Sequence, residues 1–447
     1  MNRIHAMGAL LSALLMAGDN AWTAVPDQEA AKLKSELTPL GGERAGNKEG
    51  TIPAWDGGYS KVPPGYKSGQ PRPDPFAGES PAFSITAANM AEYASKLDEG
   101  QQYLLKKYSN YRIDVYPTHR TAAAPDWVYT ETYKNATRSR LDGYTVKNAY
   151  GGIPFPIPKN GAELLWNHSL RVRPPAFSFP FNTYTIDPNG TATLASSALN
   201  EFTLPYYIKG GTPESLKDGV YFEVLQAVTG PPFRAGELLM FHDQLDNARP
   251  AWQYLVGQRR VRRAPTICCD TPNFVNSGVD FFDQAFVFMG PIDRYDWKIL
   301  GKKELYIPYN TNRYVMAHDK DVIGPHFANP DYVRWELHRI WEVEGTVRTG
   351  QRDVRPRRKI YFDEDTYIAV IDNAWDGNGT LWHTSIGFPF IEFEVPAIGM
   401  EVFLTMDLIK GTYTSTPIGD QTVQIKVEEP WPDNYYTPEA LARKGVR

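Results

Sequence analysis

Cysteine is almost absent from this 447-residue chain: there are two, adjacent at Cys268 and Cys269. No disulfide framework and no zinc-type Cys/His spacing can be drawn from them. Two small half-buried side chains are the plain reading, and a vicinal disulfide in an oxidising compartment is the alternative. Charge of one sign is also lacking: 47 basic against 52 acidic residues leave a net charge of -5, which argues against a nucleic-acid partner. The histidines, at His5, His119, His168, His242, His318, His326, His338 and His383, never pair four apart on a helical pattern. With no H-E-x-x-H, no nucleophile elbow and no phosphate-cradling glycine loop, no metal, cofactor or catalytic group is expected, and the chain does not read as an enzyme.

Long apolar runs are missing except at the start. Arg3 and His5 precede the apolar stretch Ala6 to Ala17, which is short for a membrane span and right for the core of a signal peptide. Small residues at Ala21, Thr23 and Ala24 offer cleavage, although Trp22 interrupts a clean pattern. The expectation is a signal peptide over 1–24, a buried N-terminal helix being the alternative. No cysteine follows it, so a periplasmic protein without a lipid anchor is expected.

Aromatic residues, at 13% with 26 Tyr and 11 Trp, favour strands and line apolar pockets. Gly and Pro, 36 each, announce many turns. Residues 25–85 read as an irregular arm, whose Trp55, Tyr59, Tyr66 and Phe76 argue that it lies on a surface. Helices are predicted over Thr86–Tyr108, capped by Thr86, and Asn160–Val172, capped by Asn160 with Glu163 three residues on. Asp126–Leu141 leans weakly towards helix, and the aromatic segment Asp280–Phe288 reads as helical. From Phe177 the pattern is strand and turn, beginning with a hairpin over Tyr184–Leu194. The fold class is mainly β (α+β): a large curved antiparallel sheet, or half-open barrel, occupying 86–447 with a helical lid at about 86–172.

Two acidic groups stand out, Asp363-Glu364-Asp365 and Asp319/Asp321 beside His318. Solvated turns are the plain reading; a calcium site or glycosidase pair is the functional one. In the basic run after Gln258, Arg260 and Arg262 face one way and Val261 and Arg263 the other. Arg260 and Arg262 are candidates for a headgroup or anion contact. Trp252, Tyr254, Phe281, Phe282, Phe286, Phe288, Trp297, Trp335, Trp341 and Trp382 are the candidate lining of an apolar cavity, against the bland reading of an ordinary core.

Four segments carry a resemblance: LTPLGGERAGNKEGTIPAWDGG from Leu37, GGIPFPIPKNGAELLWNHSLR from Gly151, YLVGQRRVRRAP from Tyr254, and FDEDTY from Phe362. Together they resemble the domain-of-unknown-function family 1329, across nearly the whole chain after the N-terminal segment. The resemblance implies the fold of the Lol lipoprotein carriers, an antiparallel barrel half closed with helices plugging its mouth. The Arg-rich strand is similar to one borne across that superfamily. It also implies the company of an RND-type exporter and an outer-membrane protein. The sequence departs from the family at Cys268-Cys269, where aliphatic or aromatic residues are expected; an essential thiol is therefore not implied.

The resulting expectation is a periplasmic carrier for a hydrophobic ligand (a lipid, a lipoprotein acyl chain or another hydrophobe) moving between inner and outer membrane. A structural or adaptor protein of the outer-membrane envelope is the first alternative. An envelope polysaccharide or lipid hydrolase using carboxylates such as Asp363 or Asp365 is the second.

Overall fold

The computed structural model describes residues 24–264 and 267–445. The signal-peptide expectation over 1–24 thus lies outside the described residues, apart from Ala24. Among the described residues no helix is long and apolar enough to cross a membrane.

Thirteen strands make the body of one large sheet. They are β1 (Ala176–Ile186), β2 (Ala192–Thr203), β3 (Val220–Gly230), β4 (Leu238–Gln244), β5 (Ala251–Leu255), β6 (Arg260–Arg263), β7 (Tyr295–Pro308), β8 (Trp335–Val347), β9 (Arg357–Asp363), β10 (Ala369–Trp375), β11 (Leu381–Gly387), β12 (Phe403–Asp407) and β13 (Thr412–Ser415). The spatial order is β7-β8-β9-β10-β11-β12-β13-β1-β2-β3-β4-β5-β6, each pair antiparallel. β7 and β6 do not meet, so the sheet is open: a half-barrel. Strand Ile113–Val115 adds to β8 in parallel at Trp335, and Lys426–Val427 adds to β1.

The helices are α1 (Glu99–Lys107), α2 (Asp126–Arg138), α3 (Gly161–Ser169) and α4 (Pro438–Gly445), besides shorter turns. The helix expected over Thr86–Tyr108 is broken. A short turn at Met90–Tyr93 ends near Leu97, and α1 restarts behind Asp98, whose carboxylate accepts from Gly100 N at 2.7 Å and Gln101 N at 3.2 Å. Asp98 is a stronger N-cap than Thr86 because Gln101 returns a bond to its backbone. Asn160 caps α3 as expected, while Glu163 reaches one residue further back, accepting from Lys159 N.

Alternation along the strands sorts what covers each face. Arg358 binds Asp283 of the segment 267–292 and Asp372 pairs with Arg358 on that same face, whereas their neighbours Lys359 and Asn373 contact Glu99 and Asp98 at the start of α1. So α1 packs on the face of β9–β11 that is opposite the 267–292 segment. The concave face is filled by α3 and by the 267–292 segment, here called the plug. His168 of α3 binds both, with Nε2 at 2.9 Å from Phe288 O and Nδ1 accepting from Ala369 N at 3.0 Å.

The plug contains the expected helix Asp280–Phe288, which does not form. Only a single tight turn, Phe282–Gln284, is present, and Phe286 and Val287 take left-handed φ of 53° and 67°. Tertiary bonds override the local pattern: Asp283 is drawn to Arg355 and Arg358, and Gln284 to His383 and Ser385. Cys268 and Cys269 form a vicinal disulfide at the start of the plug.

The arm of residues 38–81 lies on the outer surface. Trp55 donates to Ala122 O at 2.9 Å, Tyr66 packs edge-on against Phe393, and buried Arg72 binds Glu392 and Glu394. Gly41, with φ of +115°, leaves no room for a side chain against Pro156 O. This joins the LTPLGG and PFPIP segments.

Candidate ligand cavity

The curvature leaves an apolar cavity of about 110 Å³ between the plug and the concave face of β1–β4. The sheet side is supplied by alternate residues: Phe179 and Phe181 of β1, Phe202 of β2, Val224 of β3, Leu239 and Phe241 of β4. Cross-strand register places these together, with Phe179 opposite Asn200, Phe202 opposite Val224, and Val224 opposite Phe241. Phe282, Phe286 and Met289 of the plug form the roof, and Phe403 of β12 closes one end. Aromatic edges interlock here: Phe202 meets Phe177, Phe179, Phe222 and Phe286 at 4.9–6.0 Å.

A few polar groups converge on this lining. Asp280 accepts from Asn276 at 2.6 Å and Thr414 at 2.9 Å; burial pushes its carboxyl up to about 6 despite those bonds. Burial likewise raises Glu401, whose Oε2 has no hydrogen-bond partner. Arg249 is clamped on Asp243 at 2.5 Å.

Outside the plug an open groove of about 760 Å³ runs along the rim. Leu255, Gln253 and Arg262 line it from one side, Thr185, Asp187 and Leu194 from another, and Phe233 and Phe274 border it. Phe233 is 84% exposed and Phe274 48%, an apolar lip that a monomer in water gains nothing by displaying. Val275 lines both groove and cavity, so the lip is the natural mouth.

Of the aromatics named from sequence, Phe282 and Phe286 line the cavity. Trp252 and Tyr254 point the other way, Tyr254 joining Leu238, Met240, Tyr436 and Leu441 in a small cluster beneath α4, with Trp252 packed against it. Phe281 contacts Trp382 and His383, and Phe288 contacts Trp297, both in the opposite half. Trp335 is core, and Trp341 carries Lys302 over its ring at 4.3 Å. Arg262 lines the outer groove; Arg260 is exposed on the same edge strand. The chain is folded back at 256–259 between β5 and β6, with Arg259 in the left-handed region.

The β8–β12 half differs from a greasy wall. Arg355 and Arg358 share Asp283, and Arg358 also binds Asp372 at 2.5 Å. On the outer side His338 sits between Glu336 and Asp363, each at 3.2 Å, with the Tyr309 ring tilted against it at 4.1 Å. Burial opposes its charge, but the two carboxylates outweigh it and raise His338 to about 9. Asp363, Glu364 and Asp365, expected in a solvated turn, are 0%, 1% and 4% exposed. They are buried because Arg120 grips Asp365 at 2.6 Å, Lys302 pairs with Glu364, and Thr366 donates to Asp363 at 2.6 Å. His338, Asp363 and Asp365 bring ligand-type atoms within 4.8 Å, the one metal-compatible trio among the described residues. Cations already satisfy it: Arg120 occupies Asp365, and protonated His338 occupies Asp363. Asp363 and Asp365 are committed to His338, Thr366 and Arg120 in the interior. Asp319 is also buried, holding Asn182 at 2.7 Å, while His318 beside it is exposed and bonded to Asp420.

Taken together, these features define an open antiparallel half-barrel with an apolar cavity under an internal plug. The chain belongs to the family described as "Protein of unknown function (DUF1329)", whose model matches residues 84–442. It is 37% identical to an uncharacterised protein of Pseudomonas aeruginosa over 97% of both chains. Among solved structures it is similar to a DUF1329 family protein from Desulfovibrio piger, at 14% identity and a TM-score of 0.43, covering 63% of this chain and 97% of that one. A second is a putative outer membrane lipoprotein-sorting protein domain from Vibrio parahaemolyticus, at 13% and 0.44, covering 63% and 98%. A third is a LolA superfamily protein from Nitrosomonas europaea, at 11% and 0.38, covering 63% and 98%.

Proposed function

We propose that this protein binds a hydrophobic molecule between the plug and β1–β4 and carries it through the periplasm. The observation that carries the reading is the unfilled, aromatic-lined cavity behind an exposed Phe233/Phe274 lip. A cavity of this size is smaller than the roughly 300 Å³ at which ligand sites begin. It therefore represents a closed state, and loading requires the plug to shift outward. The plug suits that role: it has almost no regular structure and several left-handed residues, and the side chains of Asp280, Asp283 and Gln284 fasten it to the sheet. Each methylene transferred from water contributes about 0.8 kcal/mol, which offsets the cost of opening as the buried chain lengthens. Exchange with an exporter or an outer-membrane protein would take place at the lip.

The test uses the neutral dye N-phenylnaphthylamine with detergent-free protein. Saturable binding is expected, lost at least tenfold in Leu239→Trp, which fills the cavity from β4. Absence of dye binding, or binding indifferent to this substitution, overturns the proposal.

A further inference from the structure

We propose that the ligand is a long-chain amphiphile with an anionic end, and that Arg171 and Arg173 are the pair that receives the charge. This rests on the carrier reading above and adds the chemistry of the cargo.

Six interior arginines have carboxylate partners: Arg72 with Glu392 at 2.7 Å, Arg120 with Asp365 at 2.6 Å, Arg249 with Asp243 at 2.5 Å, Arg334 with Glu336 at 2.5 Å, Arg355 with Asp283 at 2.9 Å and Arg358 with Asp372 at 2.5 Å. Arg171 and Arg173 break that rule. Each is 4% exposed, and among the described residues neither has a carboxylate oxygen within 4 Å. Arg171 gives one bond, to His168 O at 2.9 Å, and Arg173 one, to Ser169 O at 3.2 Å. Nε and Nη2 of Arg171 and Nε of Arg173 have no acceptor at all. Arg173 also rests on the Phe222 ring at 4.6 Å. Two adjacent buried cations with spare donors are costly unless something supplies the acceptors.

Glu401 is the carboxylate that faces both arginines, and the hydroxyls of Tyr207 and Tyr221 face them too. Asp243 also faces Arg173 but is clamped on Arg249, so two carboxylates meet three guanidiniums and one positive charge is left to be met. Burial, with Arg173 adding repulsion, lowers Arg171 to about 9 even with Glu401 opposing the shift.

A crevice of about 20 Å³ opens beside both arginines, bounded by Tyr221, Asp243, Phe288 and Gly290. That is room for about one water-sized group, such as a headgroup oxygen. Phe286 and Met289 line this crevice and also line the apolar cavity. They are therefore the partition between the two spaces, and a rotation of the unbranched Met289 side chain joins them. A chain lying against Phe202 and Phe241 then ends at the arginines. A fatty-acid carboxylate and a lipid phosphate share this chemistry.

The experiment displaces N-phenylnaphthylamine from the delipidated full chain with palmitate, hexadecyl phosphate, hexadecan-1-ol and inorganic phosphate. One or both anionic amphiphiles should compete at least tenfold better than the alcohol, and their relative strength distinguishes carboxylate from phosphate cargo. Inorganic phosphate should not compete. Arg171→Met and Arg173→Met should each remove the preference for the anion and leave displacement by hexadecan-1-ol unchanged. The wild-type comparison stands alone if either variant fails to fold. Equal competition by alcohol and both anions, or competition by inorganic phosphate, overturns this proposal and leaves the carrier reading intact. Failure of the dye to bind overturns the carrier reading itself.

Discussion

Asp283→Asn should loosen the plug more than any other single conservative change. The Asp283 carboxylate accepts from Arg355 Nη2 at 2.9 Å and Arg358 Nη1 at 2.7 Å, all within the interior. An amide keeps the shape, and its oxygen can still accept where Oδ2 takes both bonds, but it removes the negative charge facing two guanidiniums. Arg355 retains Asp353 at 3.2 Å and Arg358 retains Asp372, so neither cation is left wholly alone. Removing one partner of a buried pair costs about 3–5 kcal/mol, and the surviving partners place this case at the lower end, about 3 kcal/mol. Denaturant unfolding followed by tryptophan fluorescence measures the total, and hydrogen exchange locates it. Amides of 267–289 should lose protection before those of β12, and dye binding should speed up. A loss under about 1 kcal/mol with unchanged plug exchange would refute the idea that this ion cluster holds the plug shut.

His338, raised to about 9 from an ordinary 6.5, should stabilise the fold fully below pH 6.5, with the contribution fading as pH climbs through 9. His338→Gln should flatten that slope in urea midpoints; a wild-type midpoint constant from pH 6.5 to 9.5 would contradict it. Gly41→Ala drives a Cβ into Pro156 O at a left-handed backbone position, and should cost at least about 2 kcal/mol and expose the arm to limited proteolysis. Phe202→Ala should destabilise by about 3–5 kcal/mol, since Phe202 is 1% exposed at the centre of the aromatic cluster, with unfolding midpoints as the readout.

The sheet was legible from the chain because strand alternation and turn signals are local. The hairpin around Asp187-Pro188-Asn189-Gly190 and the long strands β7 and β8 fall where their patterns place them. What local pattern cannot carry is the partner far along the chain. The acidic turn at Asp363–Asp365 looks solvated until Arg120, Lys302 and His338 arrive from elsewhere. Phe281 to Phe288 has helix-like spacing, yet Asp283 and Gln284 commit their side chains to β9 and β11. Within the cavity, aromatic residue type was the right signal but strand face was not resolved. Trp252 and Tyr254 sit one residue out of phase with Gln253, which faces the concave side. Phe179, Phe181 and Phe202 were missed, although period-two Phe in β1 offered a clue. Arg171 and Arg173 were missed as well; the Arg-Val-Arg that follows the buried LLWNH helix was the available signal.

Photolabelling with a diazirine-bearing palmitate, followed by mass-spectrometric mapping, probes the central claim most directly. Adducts should concentrate on Phe202, Val224 and Leu239 inside β2–β4 and on Phe282, Phe286 and Met289 of the plug, and should vanish with excess unlabelled palmitate. Adducts confined to the outer face, at Trp252, Tyr254 or the α4 cluster, or no competable labelling at all, would contradict it.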